Sequence, residues 1–302
     1  LKYFEILDYL YTKLPMYQRS GPAAYKNNLD NTILLDKLYG NPHHQFKSVH
    51  VAGTNGKGSV SHMLAAVFQK AGYKTGLYTS PHLKDFRERI RINGEMISKK
   101  FLVDWVEQFI SNNELWKIEP SFFELTVILA FDYFAKENVE IAIVEVGLGG
   151  RLDSTNIISP ELSIITNIGL DHVALLGDSL EKIAGEKAGI IKTGIPAVIG
   201  TSQRETKPVF NETAHKRETE IYFADQEFVV PYSLKDLDGK QVMTVIKNGE
   251  NVFPQLKLDL QGLYQRKNLP AVLKAVELLQ KKGWNITEEA VYEGLANVTE
   301  LT

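Results

Sequence analysis

Apolar positions along the chain fall into two kinds of stretch. Some are short continuous runs, and others recur every three or four residues over a dozen positions. Phe46-Lys47-Ser48-Val49-His50-Val51 predicts a strand. After a glycine-rich turn at 53–58, residues 59–71 predict a helix with Leu64, Val67 and Phe68 on one face and Gly72 as its stop. Residues 74–78 predict a second strand, so the segment is a strand–loop–helix–strand unit of the kind that builds parallel sheets. The alternation continues with helices at 98–110 (Ser98 as N-cap) and 121–136 (after Pro120). Ile141-Ala142-Ile143-Val144 is continuously apolar, as expected of a central strand buried on both faces. Strands at 162–166, 197–199 and 220–223 follow, with a helix opened by Asp178-Ser179-Leu180-Glu181 in a capping-box-like spacing and another at 206–216.

The period changes after about residue 225. Residues 242–247, then Asn248-Gly249, then 250–253 predict an antiparallel hairpin with a type I′ turn. A helix at 268–282 follows, with Asn268 as its expected N-cap, and Thr287 caps a last short helix. The expected fold is therefore α/β: a P-loop-type, mostly parallel central sheet flanked by helices, with a small antiparallel β extension at about 225–262 on the same core.

Composition narrows the function classes. The chain has 302 residues, which by itself suggests two domains or one large α/β domain. The net charge is 34 − 37 = −3, so no polybasic nucleic-acid or membrane-surface protein is indicated. No apolar run of membrane-spanning length is present, and no signal peptide is expected. Zero cysteines exclude disulfides, thiolate-ligated zinc, iron–sulfur clusters and a thiol nucleophile, and they fit a cytoplasmic enzyme.

Gly53-Thr54-Asn55-Gly56-Lys57-Gly58-Ser59 lies between a predicted strand and a predicted helix. Glycines let backbone N–H groups approach phosphate oxygens, the helix start adds a positive dipole end, and Lys57 adds a full charge. The standard pattern G-x-x-x-x-G-K-[ST] fails at two places, because Val51 stands at its first Gly and Gly58 at its hydroxyl. An ordinary glycine-rich turn with an exposed lysine is the competing reading.

This variant loop resembles that of the Mur ligase superfamily, and more narrowly of the folylpolyglutamate synthase/dihydrofolate synthase family. The same resemblance is carried, in order, by Thr79-Ser80-Pro81-His82, Arg87-Glu88-Arg89-Ile90-Arg91-Ile92-Asn93-Gly94 and Ser121-Phe122-Phe123-Glu124. It continues through Glu145-Val146-Gly147-Leu148-Gly149-Gly150-Arg151-Leu152-Asp153, Thr166-Asn167-Ile168-Gly169-Leu170-Asp171-His172 and Glu186-Lys187-Ala188-Gly189-Ile190-Ile191-Lys192. A weaker match, Gln265-x-x-Asn268, extends it.

The resemblance implies an ATP-dependent ligase that joins L-glutamate to dihydropteroate or folates through an acyl phosphate. It implies ATP contacts from Gly53, Thr54, Asn55, Gly56, Lys57, Gly58, Ser59 and Asn268. It implies magnesium, with two ions expected, on Ser80, Glu145, His172 and Lys187, the lysine carrying a CO₂-derived carbamate that turns a cation into an oxygen donor. Lys57, Lys187 and His172 are the expected catalytic residues. Glu145 alone would be a solvated strand-end carboxylate, and Lys187 alone a helix lysine paired with Glu186. Substrate contacts are expected from Phe122, Phe123, Glu124, Leu152, Asp153 and Ser154, although the two phenylalanines also suit a core. Tyr25-Lys26 is a further candidate to face the substrate, and His82, Arg87 and Arg89 either steer an anionic substrate or form a solvated charged stretch.

Only 52 residues precede Gly53, which disfavours a separate nucleotide-sugar domain and hence a cell-wall Mur ligase. A P-loop regulatory module gives no reason for Glu145, His172 and Lys187 together. The expectation is one ATP-binding domain over 1–302, with the family's C-terminal Rossmann-like domain missing, so that the chain alone binds ATP–magnesium weakly and turns over poorly. A nucleotide-binding fragment without catalysis, or another Mur-type amide ligase, is the alternative. A monomer without nucleic-acid or membrane partners is expected.

Overall fold

The computed structural model describes residues 1–16 and 28–302. The Tyr25-Lys26 segment lies outside the described residues. In chain order the strands are β1 (Lys47–Ala52), β2 (Thr75–Tyr78), β3 (Ile90–Ile92), β4 (Glu95–Met96), β5 (Ile141–Glu145), β6 (Leu162–Ile165), β7 (Ala197–Ile199), β8 (Ile221–Phe223), β9 (Phe228–Val229), β10 (Ser233–Lys235), β11 (Gln241–Lys247) and β12 (Glu250–Leu258). The helices used below are α1 (Tyr3–Thr12), α2 (Asp30–Leu38), α3 (Lys57–Lys70), α4 (Lys99–Trp116), α5 (Phe122–Lys136), α6 (Val173–Leu176), α7 (Leu180–Ala188), α8 (Lys207–Lys216), α9 (Ala224–Glu227), α10 (Gln265–Lys281) and α11 (Glu288–Ala296).

Strands β1 to β8 form one sheet in the order β4-β3-β2-β5-β1-β6-β7-β8. From β2 to β8 the neighbours are parallel, and β3 and β4 add an antiparallel edge. Alternate residues of the central strands serve opposite faces, as the pleat requires. Val49, Val51, Ile141, Ile143 and Ile164 join a core with α3, α10 and α11. Tyr78, Ala142 and Val144 join a second core with α1, α4 and α5. Ala52, Ile165 and Ile199 pack under α7 and α8.

The mostly parallel sheet with a small antiparallel extension is as expected. The Asn248-Gly249 turn is there, both residues at positive φ (51° and 87°), with Lys247 paired to Glu250. β12 runs on through Pro254, farther than the hairpin reading, because it is an edge strand with a register irregularity, where a missing N–H is tolerated. Met243, Val245, Leu256 and Leu258 from this extension lie in the same core as Val49 and α3. The β3–β4 hairpin was not foreseen, although Asn93-Gly94, at φ 48° and 81°, is its turn. Helix α10 starts at Gln265, so Asn268 is not its N-cap but a buried residue in the first turns. Ser179 caps α7 through the Lys182 N–H; since Lys182 occupies the third helical position, the capping box has no acidic member.

Candidate active site

Strands β5, β1 and β6 are adjacent, and their carboxyl ends deliver Glu145, Gly53 and Thr166 side by side. The strand order reverses here, and open α/β sheets bind ligands in the crevice outside such a point. The chain leaves β1 through Gly53 (φ +146°) and Gly56 (φ +84°). A Cβ at Gly53 would lie 1.9 Å from Thr166 Oγ1, and one at Gly56 would lie 2.3 Å from Asn268 Oδ1. Glycine is therefore required at both positions for space as well as for φ. Helix α3 begins at Lys57, two residues before the expected Ser59, with Gly56 as a cap that offers no side-chain acceptor. Its first-turn N–H groups have no intrahelical partner and are available to an anion.

The loop is braced from two sides. Thr54 N–H donates to the Asn167 carbonyl at 3.0 Å, and Asn55 N–H to Asn167 Oδ1 at 3.0 Å. Thr166 Oγ1 donates to the Asn55 carbonyl at 2.6 Å, and Gly169 N–H donates to Thr54 Oγ1 at 2.9 Å. From α10, Gln265 Nε2 donates to Ser59 Oγ at 3.2 Å, while Asn268 Nδ2 donates to Gln265 Oε1 at 2.8 Å. Thr166, Asn167 and Gln265 were missed as loop supports. The polar Gln-x-x-Asn at a helix start was the available signal for Gln265.

Lys57 Nζ folds back onto the carbonyls of Gly53 (3.0 Å) and Thr54 (3.3 Å). Lys187, buried in the last turn of α7, donates from Nζ to the same Gly53 carbonyl at 3.1 Å. Burial, followed by the nearby Lys57 charge, pushes the Lys187 amine down to about 8, against a smaller opposing pull from Asp171 and Asp153. The pairing of Lys187 with Glu186 is not formed. Glu186 instead accepts Arg151 Nη2 at 2.9 Å and Nε at 3.2 Å. Gly150 permits this approach, because a Cβ there would lie 3.0 Å from Lys187 Cα.

Glu145, at the end of β5, is buried, and its Oε2 accepts the Ser80 N–H at 3.1 Å. Burial raises its carboxyl to about 7, with Lys57 and the Ser80 hydrogen bond acting in the opposite direction. Ser80 and Glu145 are thus brought together, beside the loop at Gly58, whose ideal Cβ lies 3.9 Å from both Glu145 oxygens. His172 follows β6 at φ 46°, with its side chain 39% exposed and Nε2 3.6 Å from Asp171 Oδ1. Among the described residues no three His, Cys, Asp or Glu side chains gather into a preformed cage. The donor set nevertheless fits magnesium: a buried carboxylate held by a single backbone N–H, a hydroxyl-bearing residue beside it, and an adjoining loop that can bring phosphate oxygens.

The expected substrate residues divide. Phe122 is core: it stacks with Tyr11 at 5.7 Å, and the Arg89 guanidinium lies 5.2 Å over its ring. Phe123 is half-buried and lies against Gly147, where a Cβ would come 2.3 Å from its Cζ. Glu124 accepts the Ser121 N–H at 2.6 Å in a capping box, which gives it a structural role at the start of α5. Asp153 is buried and takes Leu148 N–H (2.8 Å), Thr155 N–H (3.0 Å) and Thr155 Oγ1 (2.5 Å), which locks the 147–153 loop. Burial nevertheless raises its carboxyl. Thr155 Oγ1 in turn takes the buried His50 ring at 2.8 Å, and because that hydroxyl donates to Asp153, His50 Nε2 carries the proton. Leu152 is half-buried and Ser154 buried in the same loop.

The charged stretch resolves into two parts. Arg87 is spent on Asp85, through Nη2 to Oδ2 at 2.8 Å. Arg89 is 3% exposed, and its Nε donates to the neutral nitrogen His82 Nδ1 at 2.8 Å. His82 Nε2 meets Tyr11 Oη at 3.1 Å.

Comparison with known proteins identifies the family and the fold. The Mur ligase middle domain matches residues 51–276. A dihydrofolate synthase/folylpolyglutamate synthase of Bacillus subtilis is 37% identical over 85% of this chain and 60% of its own length. A folylpolyglutamate synthase of Lacticaseibacillus casei is 35% identical over 95% of this chain and 68% of its own. A solved FPGS–AMPPCP–folate complex superposes with a TM-score of 0.89 at 32% identity, over 99% of this chain and 72% of that one. The chain thus spans roughly three-fifths to seven-tenths of these relatives.

Proposed function

The chain belongs to the Mur ligase family, in its folylpolyglutamate synthase/dihydrofolate synthase branch, and from this we propose that its site carries the ATP half of an acid–amino-acid ligase. The acceptor acid is dihydropteroate or a folate, and the amine is L-glutamate. The single observation that carries this reading is the meeting of Gly53–Ser59, Glu145 and Lys187 at the carboxyl ends of β5 and β1. A solved relative in complex with AMPPCP and folate supports the same pair of ligands here.

The first-turn N–H groups of α3 and the Lys57 ammonium receive the β and γ phosphates. Lys57 must leave the Gly53 and Thr54 carbonyls to do so. The substrate carboxylate attacks the γ phosphorus, and the bond from that phosphorus to the bridging oxygen of ADP breaks. The glutamate amine then adds to the acyl carbon, loses a proton, and inorganic phosphate leaves as the amide forms. Bound magnesium supplies neutralisation of phosphate charge, and Glu145, Ser80 and His172 are its proposed ligands. A Lys187 held down to about 8 keeps a substantial neutral fraction, the form that adds to CO₂ with release of one proton to give a carbamate. That carbamate would replace a cation by an anionic oxygen donor beside the phosphate loop at Gly53.

Arg89, buried against Phe122 with neutral partners, suits the anionic end of the substrate, and Phe123 over Gly147 suits its flat ring. No helix among the described residues is long and apolar enough to cross a membrane, and a cytoplasmic monomer acting on small molecules is the setting proposed. The test is titration of the chain with AMPPCP and magnesium, then with dihydropteroate. Saturable AMPPCP binding that disappears in Lys57→Ala supports the reading. Binding of neither ligand by the unsubstituted chain overturns it.

A further inference from the structure

The segment 166–169 that braces the phosphate loop is itself held from its far side. Gln203 Oε1 accepts the Ile168 N–H at 2.9 Å, and Gln203 Nε2 donates to the Ile168 carbonyl at 2.9 Å. One side-chain amide thus satisfies both backbone groups of one residue, as a neighbouring strand would. Ile168 is 5% exposed, so these groups would be costly to leave unpaired. Its two chain neighbours are the ones that reach the nucleotide loop: Asn167 to Thr54 and Asn55, and Gly169 to Thr54. Gln203 is also well anchored. Ser202 donates to Asp225 from its N–H (2.8 Å) and its hydroxyl (2.6 Å), and the Gln203 carbonyl accepts the Lys207 N–H at 2.9 Å at the start of α8.

We propose that Gln203 is a positioning residue for the nucleotide site, fixing the Thr166–Gly169 segment and through it the phosphate-receiving loop. This inference rests on the reading that residues 53–59 bind ATP phosphates. Gln203 acts through Ile168 and requires one donor and one acceptor at a single amide. Leucine keeps the volume and offers neither. A glutamate carboxylate accepts from the N–H but turns a lone pair toward the carbonyl. A protonated glutamate again offers one acceptor and one donor. The charged groups nearby along the loop and its anchor, Arg204, Glu205, Lys207 and Asp225, are common to every variant, so their own titration cancels in a ratio to the unsubstituted chain, whereas their field helps set where the introduced carboxyl titrates.

The experiment measures the Kd of magnesium–AMPPCP for the unsubstituted chain, Gln203→Leu and Gln203→Glu between about pH 5.5 and 8, with amide exchange at Ile168 and the Tm of each. Gln203→Leu is expected to bind roughly tenfold more weakly, to exchange faster at Ile168 and to melt at a lower Tm because two buried backbone groups lose their partner, while remaining folded at the assay temperature. For Gln203→Glu the ratio of Kd to that of the unsubstituted chain is expected to be large at the alkaline end and to fall toward unity as the carboxyl takes up its proton. Unchanged affinity in Gln203→Leu, or a Gln203→Glu affinity equal to that of the unsubstituted chain at about pH 8, where the carboxyl is ionised, overturns the inference. Should Gln203→Leu fail to fold, Gln203→Glu at about pH 8 decides alone. Failure of the unsubstituted chain to bind AMPPCP overturns the nucleotide reading and this inference with it, whereas normal binding untouched by either variant overturns this inference alone.

Discussion

Lys57 and Lys187 direct their ammonium groups at one oxygen, the Gly53 carbonyl, at 3.0 and 3.1 Å. Lys187 is the buried member, and burial first and Lys57 second bring its amine down to about 8. At a fixed CO₂ pressure, carbamate on Lys187 is expected to increase as pH rises through about 8, because only the neutral amine reacts. Lys57→Met is expected to lower its occupancy severalfold. Loss of the neighbouring cation raises the amine's proton affinity and also removes a counter-charge from the carbamate. The ¹³C resonance of labelled carbamate measures both effects, and equal occupancy in Lys57→Met would sever the link between the two lysines. Full activity of Lys187→Ala in an intact ligase would remove the functional role of the modification.

Glu145 should trade stability for metal affinity. Its folded carboxyl titrates at about 7 against an ordinary 4.5, so the folded state favours the proton. The cost of the buried charge is absent below about pH 4.5, grows as pH rises, and is complete above about 7. Glu145→Gln is therefore expected to be more stable than the unsubstituted chain at about pH 8, by up to about 3 kcal/mol, with the gain vanishing in acid. Magnesium-dependent AMPPCP affinity should fall as pH drops below about 7 in the unsubstituted chain and should be lost at all pH values in Glu145→Gln. Paired denaturation and titration series check this. A Glu145→Gln protein that keeps magnesium dependence would exclude the carboxylate as a ligand.

The sheet and its order of elements were legible because buried parallel strands such as Ile141–Glu145 read as unbroken apolar runs and their helices as periodic ones. Lys57 and Glu145 were legible as site candidates because both adjoin glycine turns at strand ends. What the sequence could not show was the allocation of polar groups. Glu124 and Asp153 look like free carboxylates in one dimension, yet the first closes a capping box with Ser121 and the second ties Leu148 to Thr155. Asn268 looks like a helix cap because no local pattern reveals that α10 starts at Gln265 to bring its first turn against Ser59 and Gly56. Arg87 and Arg89, two positions apart, are indistinguishable as letters. Only the fold places Asp85 beside one and Phe122 beneath the other.

That difference makes Arg89 a specific target. No carboxylate among the described residues pairs with it, and it is 3% exposed. Replacing Arg89 by methionine removes a buried charge together with its hydrogen bond to His82 and its contact with the Phe122 ring. Arg89→Met is expected to leave the chain folded and to weaken dihydropteroate binding roughly tenfold or more, a larger loss than for AMPPCP. Arg87→Met should leave dihydropteroate binding nearly unchanged, since Arg87 is engaged by Asp85. Calorimetric titration of the two ligands separates these outcomes, and equal losses in both variants would assign the effect to general surface charge.

Phe123 and Gly147 allow the ring-binding role to be separated from packing. A methyl at Gly147 would sit 2.3 Å from Phe123 Cζ, so Gly147→Ala must push the ring off its present plane. No positive φ is involved at Gly147, so the whole effect is steric. Gly147→Ala is expected to destabilise the fold by about 1–3 kcal/mol and to weaken dihydropteroate binding. Phe123→Ala makes room for the methyl, so the double variant should be no less stable than Phe123→Ala alone, a non-additivity that marks direct contact. If the ring serves the substrate, dihydropteroate binding should stay weak in the double variant although its stability loss is relieved. Recovery of binding along with stability would make Phe123 a packing residue only, and a denaturation series run beside a binding titration decides between the two.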